Sequence, residues 1–255
     1  MKQKFGLELY SVRDDLARDL VGTLKAVKAM GYEAVEFAGG YVHSAETVAS
    51  ALAESGLVCC GWHTPYEYLN DDKIDDTIAY NKTVGNRYVI VPGIGGDDTA
   101  SPAAWRKTAE KFNKIAVKLA GHGMVTGYHN HDSEFKPLDG EIPFDVFFSA
   151  TDSAVVMQLD NGNALSGGAD VCECIRKYPG RAKTVHLKPY SHKDIFSTMI
   201  GQDDIPWTEF MGLCENVGGT EWYIVEYECE TLYTPLEGVK RCLDALKTMQ
   251  AEGKI

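Results

Sequence analysis

No apolar run in this chain of 255 residues is long enough to cross a bilayer. None opens it either, because MKQKFGLELYSVRDD already holds Glu8, Arg13, Asp14 and Asp15. A secretory signal needs an uninterrupted apolar segment behind its basic start, so a cytoplasmic protein is expected. Basic charge is scarce too: 25 Lys and Arg stand against 37 Asp and Glu, a formal charge of −12. With no local basic patch, such a surface repels phosphate backbones and predicts no nucleic-acid partner. The seven cysteines (59, 60, 172, 174, 214, 229 and 242) form no CxxC pair. Their odd number and scatter predict reduced, mostly buried thiols. Cys172 and Cys174 stand two apart in a helical stretch, where alternate side chains point to different faces, so a metal pair is not expected there. Linkers, low-complexity segments and a glycine cluster fit to cradle phosphate are missing as well; GIGGDD at 93–98 is too acidic for that role.

What the chain does have is an alternation of short β-rich runs with longer stretches of helical period, repeated eight times. The runs at 5–9, 34–37, 58–62, 88–91, 125–128, 155–159, 184–187 and 223–225 read as strands. Between them lie helical patterns such as LVGTLKAVKAM, AETVASALAES and PAAWRKTAEKFNKIAVKLAG. Gly31, Gly56, Gly121 and Gly180 fall where left-handed helix ends are expected, and Pro102, Pro143, Pro206 and Pro235 near helix starts. Strands such as YVIV are apolar throughout, as parallel strands covered on both faces are. Eight βα units of about 250 residues in total predict one (β/α)8 TIM barrel in a single domain.

Four of the apolar runs end in metal-ligand residue types. YHNHDSEF at 128–135 is the densest cluster, and the later runs end at Asp160, His186 and Glu226. Asp160 lies 26 residues after Glu134, His186 lies 26 after Asp160, and Glu226 lies 40 further on, beyond an insertion at 189–205. Such spacing brings strands five to eight to one rim with Glu134, Asp160, His186 and Glu226, a set suited to one divalent ion: Mn²⁺, Mg²⁺, Co²⁺ or Zn²⁺. Without the ion the crowded carboxylates would repel and one would take up a proton. The insertion would lie on the same face and could cover the substrate.

The segments GLELYSVRD, GYEAVEF, GYHNHDSEF, LDNGNA, VHLKPY and IVEYE occur in the order seen in the sugar phosphate isomerase/epimerase proteins of the xylose-isomerase-like barrel superfamily, which the chain resembles over nearly its whole length. The resemblance implies a metal held by Glu, Asp, His and Glu at the C-terminal ends of strands five to eight. Many relatives end strand five in Glu-Asn-His, where this chain has His129-Asn130-His131. Glu134 is the expected ligand, with His129 or His131 as the alternative. Glu8 stands where the family often has Gln.

By analogy with ketose epimerases, Glu134 and Glu226 would each serve as base on one face of a keto-sugar, through an enediolate. Lys188, two residues beyond His186 and on the same strand face, would polarise a substrate oxygen. His63, Glu36 and Arg13, at strand ends, would contact substrate, with Tyr10, Trp62 and Tyr190 stacking on the sugar ring. A metal-dependent isomerase or epimerase acting on a small carbohydrate is therefore expected. The YHNH branch also resembles inosose dehydratase-type proteins, so a dehydratase acting on a keto-inositol or 3-keto-glycoside is the rival. A carbohydrate-binding protein without activity is the third reading. Relatives often pair through barrel helices, which makes a homo-oligomer an expectation of the resemblance.

Overall fold

The computed structural model describes residues 3–229 and 231–255. Eight parallel strands pair in chain order, and β8 returns to β1 through Phe5 opposite Tyr223 and Leu7 opposite Val225, which closes the barrel. The strands are β1 (Phe5–Glu8), β2 (Ala34–Ala38), β3 (Val58–His63), β4 (Tyr88–Val91), β5 (Val125–His129), β6 (Val156–Asp160), β7 (Thr184–Leu187) and β8 (Trp222–Val225). They match the expected runs to within a residue or so at each end. Ten α-helices accompany them among the described residues: α1 (Arg13–Arg18), α2 (Leu20–Met30), α3 (Ala45–Ser55), α4 (Ile74–Val84), α5 (Pro102–Ala120), α6 (Pro143–Ala150), α7 (Asn161–Ser166), α8 (Val171–Lys177), α9 (Trp207–Leu213) and α10 (Pro235–Ala251). Two of these, α1 and α7, are short helices that the periodicity did not single out.

Helix punctuation follows the residue chemistry with one correction. Gly31, Gly56 and Gly180 have positive φ, whereas Gly121 has φ −60° and right-handed geometry. The left-handed turn falls on Gly123 instead, at φ +74°. Pro102, Pro143 and Pro235 open their helices, while Pro206 caps α9.

Period-two alternation divides each strand between two environments. One set of side chains joins the apolar layer under the helices, including Leu7, Val35, Val89, Met157, Val185 and Val225. The other set points into the barrel. Its lower part is a small apolar plug of Ala34, Cys60 and Ile224 with Tyr88, Ile90 and Val156. Two residues further along β2, β6 and β8, apolar side chains give way to Glu36, Gln158 and Glu226, and β7 adds His186 at the same level, all buried. That change of polarity marks the C-terminal end of the barrel as the chemical end. All seven cysteines are free thiols, five of them buried. Among the described residues no helix is long and apolar enough to cross a membrane.

Candidate active site

A cavity of about 520 Å³ opens at this end, lined by Glu8, His63, His129, His131, Lys188 and Glu226 among others. Beneath it lies a polar floor organised by Gln158, an amide in the otherwise apolar β6, two residues before Asp160. Its Oε1 accepts from His63 Nε2 at 2.6 Å and from His129 Nδ1 at 3.2 Å. Its Nε2 donates to both Glu36 oxygens, at 3.0 and 3.2 Å, and to the Thr184 hydroxyl at 3.0 Å. One amide thereby sets the tautomer of two histidines. With Nδ1 as donor, His129 keeps its lone pair on Nε2.

Glu36 keeps the inward face of Ala34 two residues before it, while the partner strand is irregular: Val35 pairs with Cys59 and Glu36 with Gly61, so β3 carries one extra residue beside it, and such a bulge re-aims the side chains that follow. Gly61 makes room, since a Cβ there would lie 2.0 Å from Glu36 Oε1. The carboxylate accepts from His186 Nε2 at 2.6 Å. Glu36 is fully buried and outside the cavity lining, so the substrate contact expected of it becomes a supporting role beneath His186.

Above the floor, ligand atoms of His129, Asp160, His186 and Glu226 all lie within 4.8 Å of one another, and all four residues are buried. Asp160 caps α7: its Oδ1 accepts from Asn163 N at 2.6 Å, and its Oδ2 is buried with no partner. His186 Nδ1 stands 2.6 Å from Glu226 Oε2 and 3.9 Å from Asp160 Oδ2. This donor set, with an unpartnered buried carboxylate oxygen in it, fits a divalent cation. Glu36 on the far nitrogen of His186 would hold the tautomer that leaves Nδ1 for the ion. A second group, Glu8, Glu36, His63 and His186, is equally close, but Glu36 and His63 are engaged with Gln158.

Charge in the cluster is balanced by burial and by Lys188. Burial alone would raise the Glu226 carboxyl, yet the Lys188 ammonium and the His186 bond hold it well below its ordinary value. Lys188 Nζ lies 3.2 Å from Glu226 Oε1 and also bonds Glu228. Burial pushes the Asp160 carboxyl up to about 7, with Lys188 opposing. The neighbouring Glu226 carboxylate adds a smaller push in the same direction as burial. Burial, followed by the neighbouring His186 and His63, keeps His129 neutral, its basicity well below that of a free imidazole. Glu8 is raised, first by burial and then by Glu36; its Oε1 accepts from Tyr10 N at 3.1 Å and its Oε2 is buried without a partner.

Three of the four expected ligands, Asp160, His186 and Glu226, therefore come together, while Glu134 lies apart from them among the described residues. The cause is Asn130. Its side chain pairs with the Asp160 backbone, accepting from N at 3.0 Å and donating to O at 3.1 Å. This ends strand pairing just past His129 and turns the chain outward into a short 3-10 turn, Ser133–Phe135. There the Glu134 carboxylate folds back on its own loop, accepting from His131 N at 2.6 Å, the Ser133 hydroxyl at 3.0 Å and the Tyr128 hydroxyl at 3.2 Å. His129 stands in the cluster in its place, and His131 is exposed on the cavity wall.

Several substrate-contact expectations shift in the same way. Tyr10 lines the cavity, but Trp62 stacks on Phe37 at 4.6 Å outside it, its Nε1 donating to Gly39 O. The Arg13 guanidinium lies over the Tyr10 ring at 4.7 Å rather than in the cavity. Tyr190 is buried against the inserted loop, near Phe196 and His192. That loop does reach the site, through Phe196, which lines the cavity with Lys188 Nζ 4.8 Å from its ring. Gln158, Asn130, Glu228 and Phe196 join the site although the ligand spacing and the sequence motifs assign them no role. A lone Gln two residues before Asp160, in a strand apolar on both faces, was the signal available for the first.

Comparison with known proteins agrees with this architecture. The family model described as xylose isomerase-like TIM barrel matches residues 24–249. An inosose dehydratase of Clostridium perfringens is 25% identical over 186 residues, covering 65% of this chain and 62% of the relative. The chain thus spans less than two thirds of that protein's length. A solved sugar phosphate isomerase/epimerase from Parabacteroides distasonis superposes with TM-score 0.83 at 22% identity, over 96% of this chain and 98% of that one. A solved L-ribulose 3-epimerase superposes with TM-score 0.73 at 16% identity, over 99% and 97%. At these identities the two structures speak for the fold alone.

Proposed function

Because the chain belongs to the xylose isomerase-like TIM barrel family, we propose that it is a metal-dependent enzyme that removes a proton next to the carbonyl of a small keto-sugar or keto-cyclitol and then expels a β-hydroxyl as water. The observation that carries this reading is the buried group His129, Asp160, His186 and Glu226, with Asp160 Oδ2 unpartnered. These four would hold one divalent ion. When bound, the ion would polarise the substrate carbonyl and stabilise the negative charge that develops as the α-proton leaves.

The chain's own groups would do the rest. Glu226, kept ionised by Lys188 and His186, would take the α-proton. Lys188 would donate hydrogen bonds to the substrate's oxygens from the cavity wall. Glu8 lines the same cavity and is held in its protonated form by burial, so it would pass its proton to the departing hydroxyl. One proton leaves carbon and one joins the leaving oxygen as its C–O bond breaks. The electron pair of the broken C–H bond would form the new C=C bond, so the products are an unsaturated ketone and water, and the proton left on Glu226 would return to Glu8 through solvent before the next turnover.

Dehydration is preferred to epimerisation because inversion by two carboxylates needs a second one opposite Glu226. Glu134, the residue expected there, is tied to its own loop by three hydrogen bonds. The match to inosose dehydratases agrees with that preference. Isomerisation or epimerisation through the same enediolate is the second reading, favoured by His131 on the cavity wall, an imidazole that could return a proton from the β5 side.

Metal content of the purified protein and of Glu226→Gln tests the reading first. About one divalent ion per chain is expected, lost or weakened in the variant. Keto-inositols and keto-sugars in D₂O should then exchange the α-proton and lose water, as followed by NMR. No metal after supplementation would sink the mechanism and favour a carbohydrate-binding protein. Exchange giving an epimer without loss of water would favour the second reading.

A further inference from the structure

We infer that the substrate carries an apolar, ring-sized group, held in a second pocket that opens beside the sugar cavity. This rests on reading the main cavity as a carbohydrate site. The second pocket has a volume of about 190 Å³ and sits among the segments that follow β1, β2 and β3. It shares Tyr10 and Ala38 with the main cavity, so the two lie side by side.

Its chemistry is unlike that of its neighbour. Leu9, Phe37, Val48 and Trp62 form the deep wall, each 5% exposed or less. The polar atoms of the aromatic wall are already spent: Trp62 Nε1 donates to Gly39 O at 2.9 Å, and Tyr80 Oη donates to His43 O at 3.0 Å. Arg13 and His43 line the pocket as well, the guanidinium lying over the Tyr10 ring and donating to Tyr10 O at 3.2 Å; most of the remaining lining is carbon, which water wets poorly. At the mouth, Tyr10 is 46% exposed and Val42 88% exposed, although large apolar side chains gain by burial. Two such side chains at the entrance of one mainly apolar pocket, beside a polar cavity, describe an amphipathic ligand.

Size narrows the class. An apolar cavity of about 150 Å³ takes up benzene, so this pocket holds a single aromatic ring or a short branched chain and is too small for a peptide segment. The ligand class is therefore a carbohydrate or cyclitol bearing an aryl or comparable apolar substituent, its polar ring over the His and carboxylate cluster and its apolar group past Tyr10 and Ala38.

Calorimetric titration of the Mn²⁺-supplemented protein with methyl and phenyl 3-keto-β-glucopyranosides tests this. The phenyl compound should bind at least about tenfold more tightly, from the extra apolar area removed from water. Ala17 lies on the exposed side of α1 and lines the pocket. Ala17→Trp should fill the space and bring the phenyl-to-methyl ratio down to about one. Val42→Asp, at the solvent-exposed mouth, should lower the same ratio without touching the core. Equal affinity of the two compounds for the unaltered protein would overturn the second pocket and leave the carbohydrate reading standing. Binding of neither would overturn both. A ratio that survives both substitutions would place the phenyl group elsewhere and overturn the assignment.

Discussion

Glu36 and His186 stand 150 residues apart in the chain, yet the Glu36 carboxylate accepts the His186 Nε2 proton at 2.6 Å. The contact crosses the barrel interior and orients the imidazole so that Nδ1 faces Glu226 and Asp160. Burial alone would lower the basicity of His186; its bonds to Glu226 and Glu36 hold it well above the ordinary value instead.

Glu36→Gln keeps the shape but weakens the acceptor that fixes His186. Partners of this kind typically contribute about 10- to 100-fold to metal affinity. A Mn²⁺ titration should show a loss in that range, with the thermal transition preserved. Unchanged affinity would show that Glu36 does not orient a ligand.

Substitution separates Glu134 from His129 as the strand-five ligand. His129→Ala should abolish or strongly weaken metal binding. Glu134→Ala should leave stoichiometry near one ion per chain and lower stability by roughly 1–3 kcal/mol, because His131 N, Ser133 and Tyr128 lose their shared acceptor. The reverse pattern in metal content would restore Glu134 as the ligand.

Gln158→Leu removes the amide that serves His63, His129, Glu36 and Thr184 at once. With several buried polar groups left unsatisfied, the loss should reach roughly 3 kcal/mol or more. Urea unfolding measures it. A loss below about 1 kcal/mol would mean that the floor repacks around water.

Asp203, in the inserted loop, supplies a pH test away from the metal cluster. Burial pushes its carboxyl up to about 7, against the Trp207 indole bond at 2.7 Å, and its Oδ2 is buried without a partner. In the unfolded chain an aspartate titrates near about 4. Between those values the folded chain holds a proton that the unfolded chain has released. The stabilising contribution is therefore whole below about pH 4 and is lost as the pH rises to about 7. Denaturation midpoints should reflect that decline, and Asp203→Asn should flatten it. An identical pH profile in the variant would exclude Asp203 as its source.

Much of this protein is legible along the chain because local rules act locally. Apolar runs such as YVIV, separated by amphipathic helices, can be buried only in a parallel sheet covered on both faces, and eight of them close into a barrel. Asp160, His186 and Glu226 follow from that closure, since residues at the ends of adjacent strands must share a rim. The strand-five ligand does not follow, because it depends on a contact made only after β6 is in place. Asn130 pairs with the Asp160 backbone, ends the strand at His129 and folds Glu134 onto its own loop. Trp62 is a similar case: residue type alone suits it to a sugar ring, while its packing on Phe37 turns it to the neighbouring apolar pocket. Periodicity and strand order are properties of the sequence by itself. Which carboxylate is left free, which imidazole carries its lone pair inward and which pocket an aromatic faces are decided by hydrogen bonds and packing between residues far apart in the chain, and those exist only in the closed barrel.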